Sequence, residues 1–340
     1  MMRRMNLLLG AVLVVQLVLA STLIWSEQDF AAAPAKGPLV AFDKDGIDTI
    51  VIAADKDTSV TLSKGDDGWE VPARADFPAS HGKVDKILTT LAGMKPRLPV
   101  ATSDDARKRF HVADDSFQRR LSLKKGGDTV ATVYFGDSAG PDRVFARLSG
   151  KDAIYEVNFG VREAKTDPVF WLDTEYLARS LKDIKRIDMP DVSIVRDGDS
   201  WKVASVPDGK TTDVRKASAV VSRVSTLRFD DVLGHSGDVK MPDATYRVSV
   251  TTKDGDKVTY AFAPEKAGAG KADAAKKGEK QGPDWLMTAS GSDYVFRVGA
   301  DTVKRLREYG PDKLVKAADK KAGGKDATAG KPKAGSDSSS

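Results

Sequence analysis

Two parts of this chain repeat one another, and this repetition constrains the fold more than any other feature of the sequence. A turn rich in glycine and aspartate occupies residues 65–68 in the first part and residues 197–200 in the second. Each turn is followed at once by a tryptophan, Trp69 or Trp201, that opens an alternating segment. Two similar segments of this kind are expected to fold into two similar units.

An amphipathic helical pattern begins about fifteen residues after each tryptophan. In both parts apolar residues recur at spacings that place them on one face of a helix. We expect Ser80 to cap the first helix and Asp213 the second, because both residue types favour the N-cap position. The apolar stripes consist of Val84, Ile87, Leu88, Leu91 and Met94 in the first part and of Ala217, Val220, Val221, Val224 and Leu227 in the second.

Hairpin patterns complete each copy. Residues 120–123 followed by Gly127-Asp128 match residues 247–250 followed by Gly255-Asp256, and each set predicts two strands joined by a turn. The sequence therefore predicts an α+β fold of two tandem repeats, each a mainly antiparallel sheet with one amphipathic helix. We place the first repeat at residues 38–178 and the second at residues 179–313.

An almost unbroken apolar run from Met5 to Trp25 precedes the repeats. It is 21 residues long, or roughly 31 Å as a helix, which matches the hydrocarbon thickness of a bilayer. Arg3 and Arg4 precede the run, and positive flanks stay in the cytoplasm. We therefore expect a single transmembrane anchor within residues 1–26, a linker at 27–37, and a periplasmic body at the bacterial inner membrane. A cleaved signal peptide is the alternative.

The net charge of +5 comes from three segments that lie outside the parts of the chain predicted to fold. Residues 1–26 contribute +2, residues 264–283 another +2 and residues 314–340 +3, so the remainder carries about −2. The second and third segments are rich in Lys, Ala and Gly, and we predict a disordered insert and a disordered tail. A nucleic-acid partner is not expected, because the predicted body has no net basic character.

Candidate catalytic residues are few. Of the three histidines, His81 falls at a helix start, and we expect His111 and His235 in loops. Residues 234–238 combine histidine, serine and aspartate, but neighbours in sequence seldom form a catalytic triad, and a polar connecting loop is the simpler interpretation. The chain has no cysteine, which excludes disulfides, thiolate metal sites and a lipid-modified amino terminus. We predict no catalytic, cofactor-binding or metal-binding residues and no cofactor.

Three further patterns have structural interpretations. The sequence Gly268–Lys271 superficially resembles a phosphate-binding loop but lacks the following Ser or Thr. Asp-Gly turns at residues 197–199 and 254–256 are typical of hairpins rather than calcium loops. We expect Trp69 and Trp201 to be core residues, and residues 170–172 to pack the two copies together.

The anchor, the turn before Trp69, the residues 84–94 helix, the residues 155–157 strand and their repetition together resemble a known family. It is an uncharacterised bacterial family of membrane-anchored envelope proteins, a domain of unknown function. Its members are often encoded beside ABC-type transporter components related to gliding-motility auxiliary proteins. The resemblance covers most of residues 1–310 and implies an auxiliary role near such a transporter.

The leading hypothesis for function is therefore a non-enzymatic, inner-membrane-anchored periplasmic protein. It would act as an auxiliary or scaffold subunit of an ABC-type transporter or envelope complex, with residues 5–25 in the inner membrane. One alternative is an envelope hydrolase that uses His235 and Ser236. The other is a periplasmic small-ligand-binding protein that uses a groove between the repeats.

Overall fold

The computed structural model describes Gln16 and residues 37–55, 57–265 and 284–318. The fold is α+β and rich in antiparallel sheet, which confirms the predicted class. The chain forms two compact units that are not continuous in sequence. Of the described residues, the first unit contains those up to Leu177 together with Arg228–Met241 and Ser292–Val298; the second contains those in Ala178–Leu227 and in Pro242–Gly291 and those from Gly299 onward.

Short strands and helices alternate along the described chain. The strands are β1 Thr49–Ala53, β2 Ser59–Gly65, β3 Gly68–Val71, β4 Phe77–Pro78, β5 Val112–Ala113, β6 Ser116–Phe117, β7 Arg119–Lys125, β8 Asp128–Gly140, β9 Arg143–Leu148, β10 Ile154–Asn158, β11 Ile184–Met189, β12 Val192–Asp197, β13 Ser200–Val203, β14 Lys210–Thr212, β15 Asp231–His235, β16 Tyr246–Thr252, β17 Lys257–Pro264, β18 Trp285–Ala289, β19 Tyr294–Val298 and β20 Val315–Ala317. The α-helices are α1 His81–Ala92, α2 Asp104–Arg109, α3 Pro168–Trp171, α4 Val214–Ser225 and α5 Ala300–Arg307, and short 3-10 turns lie at Pro72–Arg74, Val161–Glu163 and Pro311–Lys313.

The sheet of the first unit has the strand order β10-β9-β8-β7-β1-β2-β3-β4. Its core face follows from the two-residue period of the strands. Ile50 lies opposite Leu123 and Ile52 opposite Leu121, and all four are buried. Helix α1 contributes its predicted stripe to this core, with Val84, Ile87, Leu88 and Leu91 buried. Ser80 occupies the predicted N-cap position, but its side chain makes no capping hydrogen bond.

Six strands of the second unit are hydrogen-bonded in the order β13-β12-β11-β16-β17-β18. Helix α4 contacts β13 and buries Ala217, Val220, Val221 and Val224, as the sequence predicts. Asp213 caps this helix through its carboxylate, which accepts a hydrogen bond from the Lys216 amide at 3.3 Å. Both predicted helices therefore form where the apolar spacing places them.

The two sheets share a pattern of connection. Six neighbouring strands of the first sheet lie in the order β9-β8-β7-β1-β2-β3, and six of the second lie in the order β18-β17-β16-β11-β12-β13. When the strands of each set are numbered along the chain, the two spatial orders are the same. A cross-strand pair of hydroxyl groups occurs at the same place in each. Ser122 Oγ lies 3.0 Å from Thr132 Oγ1, and Ser249 Oγ lies 2.8 Å from Thr259 Oγ1.

The first residues of the predicted insert and of the predicted tail belong to ordered elements. The structure corrects the predicted start of the disordered tail at Leu314, because Leu314 is buried and Val315–Ala317 pairs with β14. Their apolar side chains make this segment part of the second unit. Pro264, the first residue of the predicted insert, is the last residue of β17. The rest of the insert from residue 266, and the tail from residue 319, lie outside the described residues.

The predicted anchor, residues 5–25, also lies outside the described residues except for Gln16. Among the residues that are described, no helix has the length and apolar character needed to cross a bilayer.

Candidate binding surface

Serine, histidine and aspartate side chains, the residue types that a hydrolase could use, lie close together at the end of β15. Ser236 Oγ donates a hydrogen bond to Asp293 Oδ1 at 2.5 Å. His235 Nδ1 lies 3.4 Å from Asp293 Oδ2 and makes no hydrogen bond within the described part of the chain. The His235 ring stacks on Tyr294, with ring centroids 4.9 Å apart. The expectation that His235 lies in a loop is wrong, because it is the last residue of a strand paired with β19.

The order of these three groups does not suit nucleophilic catalysis. In a catalytic triad the imidazole lies between the serine and the carboxylate and accepts the serine proton. In this cluster Asp293 lies between the other two side chains, so the Ser236 proton is directed at a carboxylate. Ser236 and Asp293 also bond through their backbones at 2.8 Å. The cluster therefore ties the end of β15 to the residue before β19.

An aromatic cluster that sequence reasoning missed lies beside it in the first unit. Phe77 in β4 is fully buried and meets Tyr176, Phe229, Tyr294 and Phe296 edge to face, with ring centroids 4.8 to 5.8 Å apart. Edge-to-face packing adds to the burial of such rings. The signal was absent from the sequence pattern because these residues come from widely separated segments.

Charged groups border the aromatic cluster. Arg74 Nε donates to Asp231 Oδ1 at 2.6 Å. Burial raises the pKa of Glu70, and the carboxylates of Asp76, Asp66 and Asp67 raise it further. Burial likewise raises the pKa of the Tyr294 phenol. Within the described residues, no group of His, Cys, Asp and Glu side chains is arranged to hold a metal ion.

The remaining residues singled out by sequence have structural roles. Trp201 is only 5% exposed and is a core residue as predicted, whereas Trp69 is half-buried because it lies near the edge of its sheet. Trp171 is fully buried and its Nε1 donates to the Lys165 carbonyl at 2.8 Å. Gly198 and Gly255 have φ values of 60° and 96°, which confirms the hairpin-turn interpretation of the two Asp-Gly motifs.

An open cleft that the sequence did not predict lies wholly in the first unit. It has a volume of about 700 Å³ and is open to solvent. Its lining combines three apolar residues, Val144, Phe159 and Val161, with side chains of both charges. The lining residues are Gln118, Gly136, Asp137, Ser138, Gly140, Asp142, Arg143, Val144, Phe159, Gly160, Val161, Arg162 and Glu163.

Irregularity in β8 creates this cleft. The register between β8 and β9 shifts at Phe135 to Ser138 and again before Gly140, so the strand bulges away from its partner. Gly136 is required at the bulge, because a Cβ there would lie 1.9 Å from the Phe110 carbonyl oxygen. Asp137 is thereby turned toward His111, whose Nδ1 lies 2.8 Å from Asp137 Oδ2. His111 itself has a φ of 52°.

Ion pairs and a hydrogen bond involve several of the charged groups around the cleft. Lys86 Nζ donates to Glu163 Oε1 at 2.9 Å, and Gln118 Nε2 donates to Asp137 Oδ1 at 3.2 Å. Arg143 Nη1 donates to Glu156 Oε2 at 2.8 Å. Arg143 and Glu156 also line a second groove of about 350 Å³. We call the cleft and this groove together the Arg143 surface, since Arg143 lines both.

The sequence held one signal for this surface. Residues 136–143 read Gly-Asp-Ser-Ala-Gly-Pro-Asp-Arg, a composition that interrupts strands. The charged lining residues come from two segments, Asp137–Arg143 and Arg162–Glu163, whose charged members are 19 to 26 residues apart, so local pattern could not bring them together.

Comparison with known proteins assigns the chain to a family. The sequence pattern of the family described as "Domain of unknown function (DUF4340)" matches residues 69–249, more than half of the chain. The chain belongs to this family, which confirms the resemblance to a domain of unknown function. The matched range contains the whole Arg143 surface. No curated protein matches the chain, and no solved structure matches it.

Proposed function

We propose that this protein is a non-enzymatic, membrane-anchored auxiliary or scaffold protein of the bacterial cell envelope. Its partner would belong to an ABC-type transporter or another envelope complex. The observation that carries the proposal is the Arg143 surface, an open cleft lined both by apolar residues and by charged residues of both signs. Such a surface suits a protein partner, since interfaces combine an apolar centre with a polar, charged rim.

Anchoring is supported by the apolar run from Met5 to Trp25 and by Arg3 and Arg4 before it. In this proposal residues 5–25 cross the inner membrane once, the amino terminus stays in the cytoplasm, and the body lies in the periplasm. Confinement to the membrane would raise the local concentration of the body around a membrane-embedded partner.

A duplication is also part of the proposal. The matched order of six strands in each sheet supports it, as does the hydroxyl pair at equivalent places in β7-β8 and β16-β17. Two related units would give the protein two sheet surfaces of common ancestry. The Arg143 surface lies on the first of them.

The test is crosslinking in intact cells followed by purification from membranes. The full chain is expected to recover a membrane-embedded partner. The variant Arg162→Glu reverses an exposed charge at the cleft and is expected to lower the yield of that partner several-fold. Lys257→Glu makes the same charge change at an exposed residue of β17 and is the matched control. Equal recovery with both variants, or no crosslinked partner at all, would contradict the proposal.

A small-ligand-binding protein is the second candidate, because a cleft of about 700 Å³ is large enough for a metabolite. A change in thermal stability with a small molecule, lost in Arg162→Glu, would favour this candidate. An envelope hydrolase has less support, since Asp293 lies between Ser236 and His235. Retention of function after His235→Ala and Ser236→Ala would remove it.

A further inference from the structure

The outer edge of β10 is only partly covered. β10 is the terminal strand of the first sheet, and its other side pairs with β9. At Ile154 the outer edge is occupied: the Ile154 amide donates to the Ala101 carbonyl at 2.9 Å, and the Val100 amide donates to the Ile154 carbonyl at 2.8 Å. Backbone groups face alternate sides along a strand, so those of Glu156 and Asn158 face outward as well. Within the described ranges, no strand pairs with them.

A proline explains why the outer edge of β10 is not paired beyond Ile154. Continuing the antiparallel register of Ala101 with Ile154 would place residue 99 opposite Glu156. Residue 99 is Pro99, which has no amide hydrogen to donate and cannot extend the ladder.

A groove runs beside the open part of β10. It has a volume of about 350 Å³ and is lined on one side by Glu156, Val157 and Asn158. The other side is formed by the chain after α1, with Met94, Lys95 and Arg97. Both Lys95 and Arg97 are exposed, and no ion pair forms at either within the part of the chain that is described.

The groove carries more cations than carboxylates, and two exposed apolar residues lie next to it in the sequence. Three cations, Lys95, Arg97 and Arg143, face the single carboxylate of Glu156. Two large apolar side chains follow directly in sequence, Leu98 at 56% exposed and Val100 at 43%. Open sheet edges are places where an extended peptide adds as a further strand, with affinity from the backbone and selectivity from the side chains.

We propose that the β10 edge groove binds an extended, acidic segment of a partner protein as an added β-strand. Backbone groups of that segment pair with Glu156 and Asn158, and its carboxylates meet Lys95 and Arg97. Its apolar side chains rest on Leu98 and Val100. This inference rests on the proposed function and specifies how the partner is recognised. The chain's own carboxyl-terminal segment is a poor occupant, because residues 314–340 carry six Lys against three Asp.

The first test is a selection from a displayed library of random eight-residue peptides against the full chain in detergent. Selected peptides are expected to be rich in Asp and Glu alternating with apolar residues. One selected peptide, labelled with a fluorophore, is then titrated with the protein and followed by anisotropy. A selection without acidic enrichment, or without any binder, would overturn the proposal.

Two variants of Asn158 separate the backbone from the side chain. Asn158→Pro removes an outward amide that the fold does not use, and Asn158→Ala keeps it. Loss of a backbone hydrogen bond is expected to weaken the peptide about tenfold in the proline variant, whereas the alanine variant stays within about twofold. Equal affinities in the two variants would overturn the proposal. Circular dichroism checks that both are folded.

A double variant tests independently whether peptide binding requires the positive charge of the groove. Lys95→Glu combined with Arg97→Glu is expected to weaken the peptide more than tenfold and to reduce its salt dependence, whereas Lys257→Glu is expected to have no effect. If both changes weaken the peptide equally, the groove does not supply the charge. Concentration-dependent dimers of the full chain that Asn158→Pro abolishes would instead identify a second copy as the occupant.

Failure of the β10 edge proposal can be distinguished from failure of the proposed scaffold function. Partner crosslinks that persist in Asn158→Pro but fall in Arg162→Glu would refute the β10 edge and leave the scaffold role intact. Selected peptides that bind at the edge, in a chain that crosslinks to no partner in cells, would refute the scaffold role alone.

Discussion

Arg147 is a buried arginine in β9, and its removal should destabilise the first unit strongly. The side chain is only 2% exposed. Its Nε donates to the Val112 carbonyl at 2.7 Å, Nη1 to the Lys151 carbonyl at 3.1 Å, and Nη2 to Asp114 Oδ1 at 2.5 Å. The guanidinium also lies over the Tyr134 ring, 4.8 Å from its centroid. One side chain thus joins β9 to β5 and to the turn after β9.

The magnitude follows from what each substitution leaves unpaired. Arg147→Ala removes the donor from the carbonyl of the fully buried Val112 and leaves a cavity beside Tyr134. A buried carbonyl left without its donor costs about 1–3 kcal/mol in the free energy of unfolding, and the cavity adds to that loss, whereas the Asp114 carboxylate is 72% exposed and returns to water. Arg147→Lys keeps the charge, but its single nitrogen cannot replace the three guanidinium nitrogens that meet three separate acceptors, and we expect a loss of about 2 kcal/mol.

The assay is urea unfolding followed by near-ultraviolet circular dichroism, with hydrogen exchange of β8 and β9 amides to report on the first unit alone. Arg143→Ala is the matched control in the same strand. Its half-exposed ion pair with Glu156 should contribute less than about 1 kcal/mol. An Arg147→Ala variant within about 1 kcal/mol of the wild type, or no more affected than Arg143→Ala, would refute the reasoning.

Three further predictions concern single side chains. Ser122→Ala and Ser249→Ala each remove an equivalent cross-strand hydrogen bond and should each lower the free energy of unfolding by about 1 kcal/mol; a large effect at only one site would count against equivalent roles. A hydrogen bond from Arg147 lowers the pKa of Asp114, so this pair stabilises the fold above pH ~4, and the stabilisation is lost as the pH falls through the lowered pKa. Asp114→Asn should therefore reduce the fall in the free energy of unfolding at acidic pH, and an unchanged fall would contradict this. Burial raises the pKa of Tyr246 to about 12, so Tyr246→Phe should remove a late-titrating phenol from an ultraviolet titration of the native protein, and an unchanged titration would contradict the burial.

Local pattern was sufficient for the helices and hairpins. The buried apolar residues of α1 and α4 are those that the 3.6-residue spacing selects, from Val84 to Leu91 and from Ala217 to Val224. The predicted hairpin of β7 with β8 also forms, although its turn is Gly126-Gly127, one residue before the predicted Gly127-Asp128. These features depend on neighbours a few residues apart, and periodicity records such neighbours directly.

Long-range arrangement was not accessible in the same way. The sequence does not indicate that β15 and β19 group with the first unit, or that Phe77 meets Phe229 and Phe296. The cleft depends on a bulge in β8, where Gly136 passes close to the Phe110 carbonyl. Bulges and contacts of this kind are set by tertiary packing, which a two-residue period does not encode.

The most direct test of the central claim is the location of the body relative to the membrane. The chain has no cysteine, so single cysteines can be introduced cleanly. Asp199→Cys places a thiol on the exposed turn between β12 and β13, and Met2→Cys places one before the apolar run. In intact cells a membrane-impermeant maleimide is expected to label Asp199→Cys but not Met2→Cys, and the chain should stay with the membrane after alkaline extraction. Labelling of Asp199→Cys only after lysis, or release of the full-length chain by alkali, would contradict an anchored envelope protein.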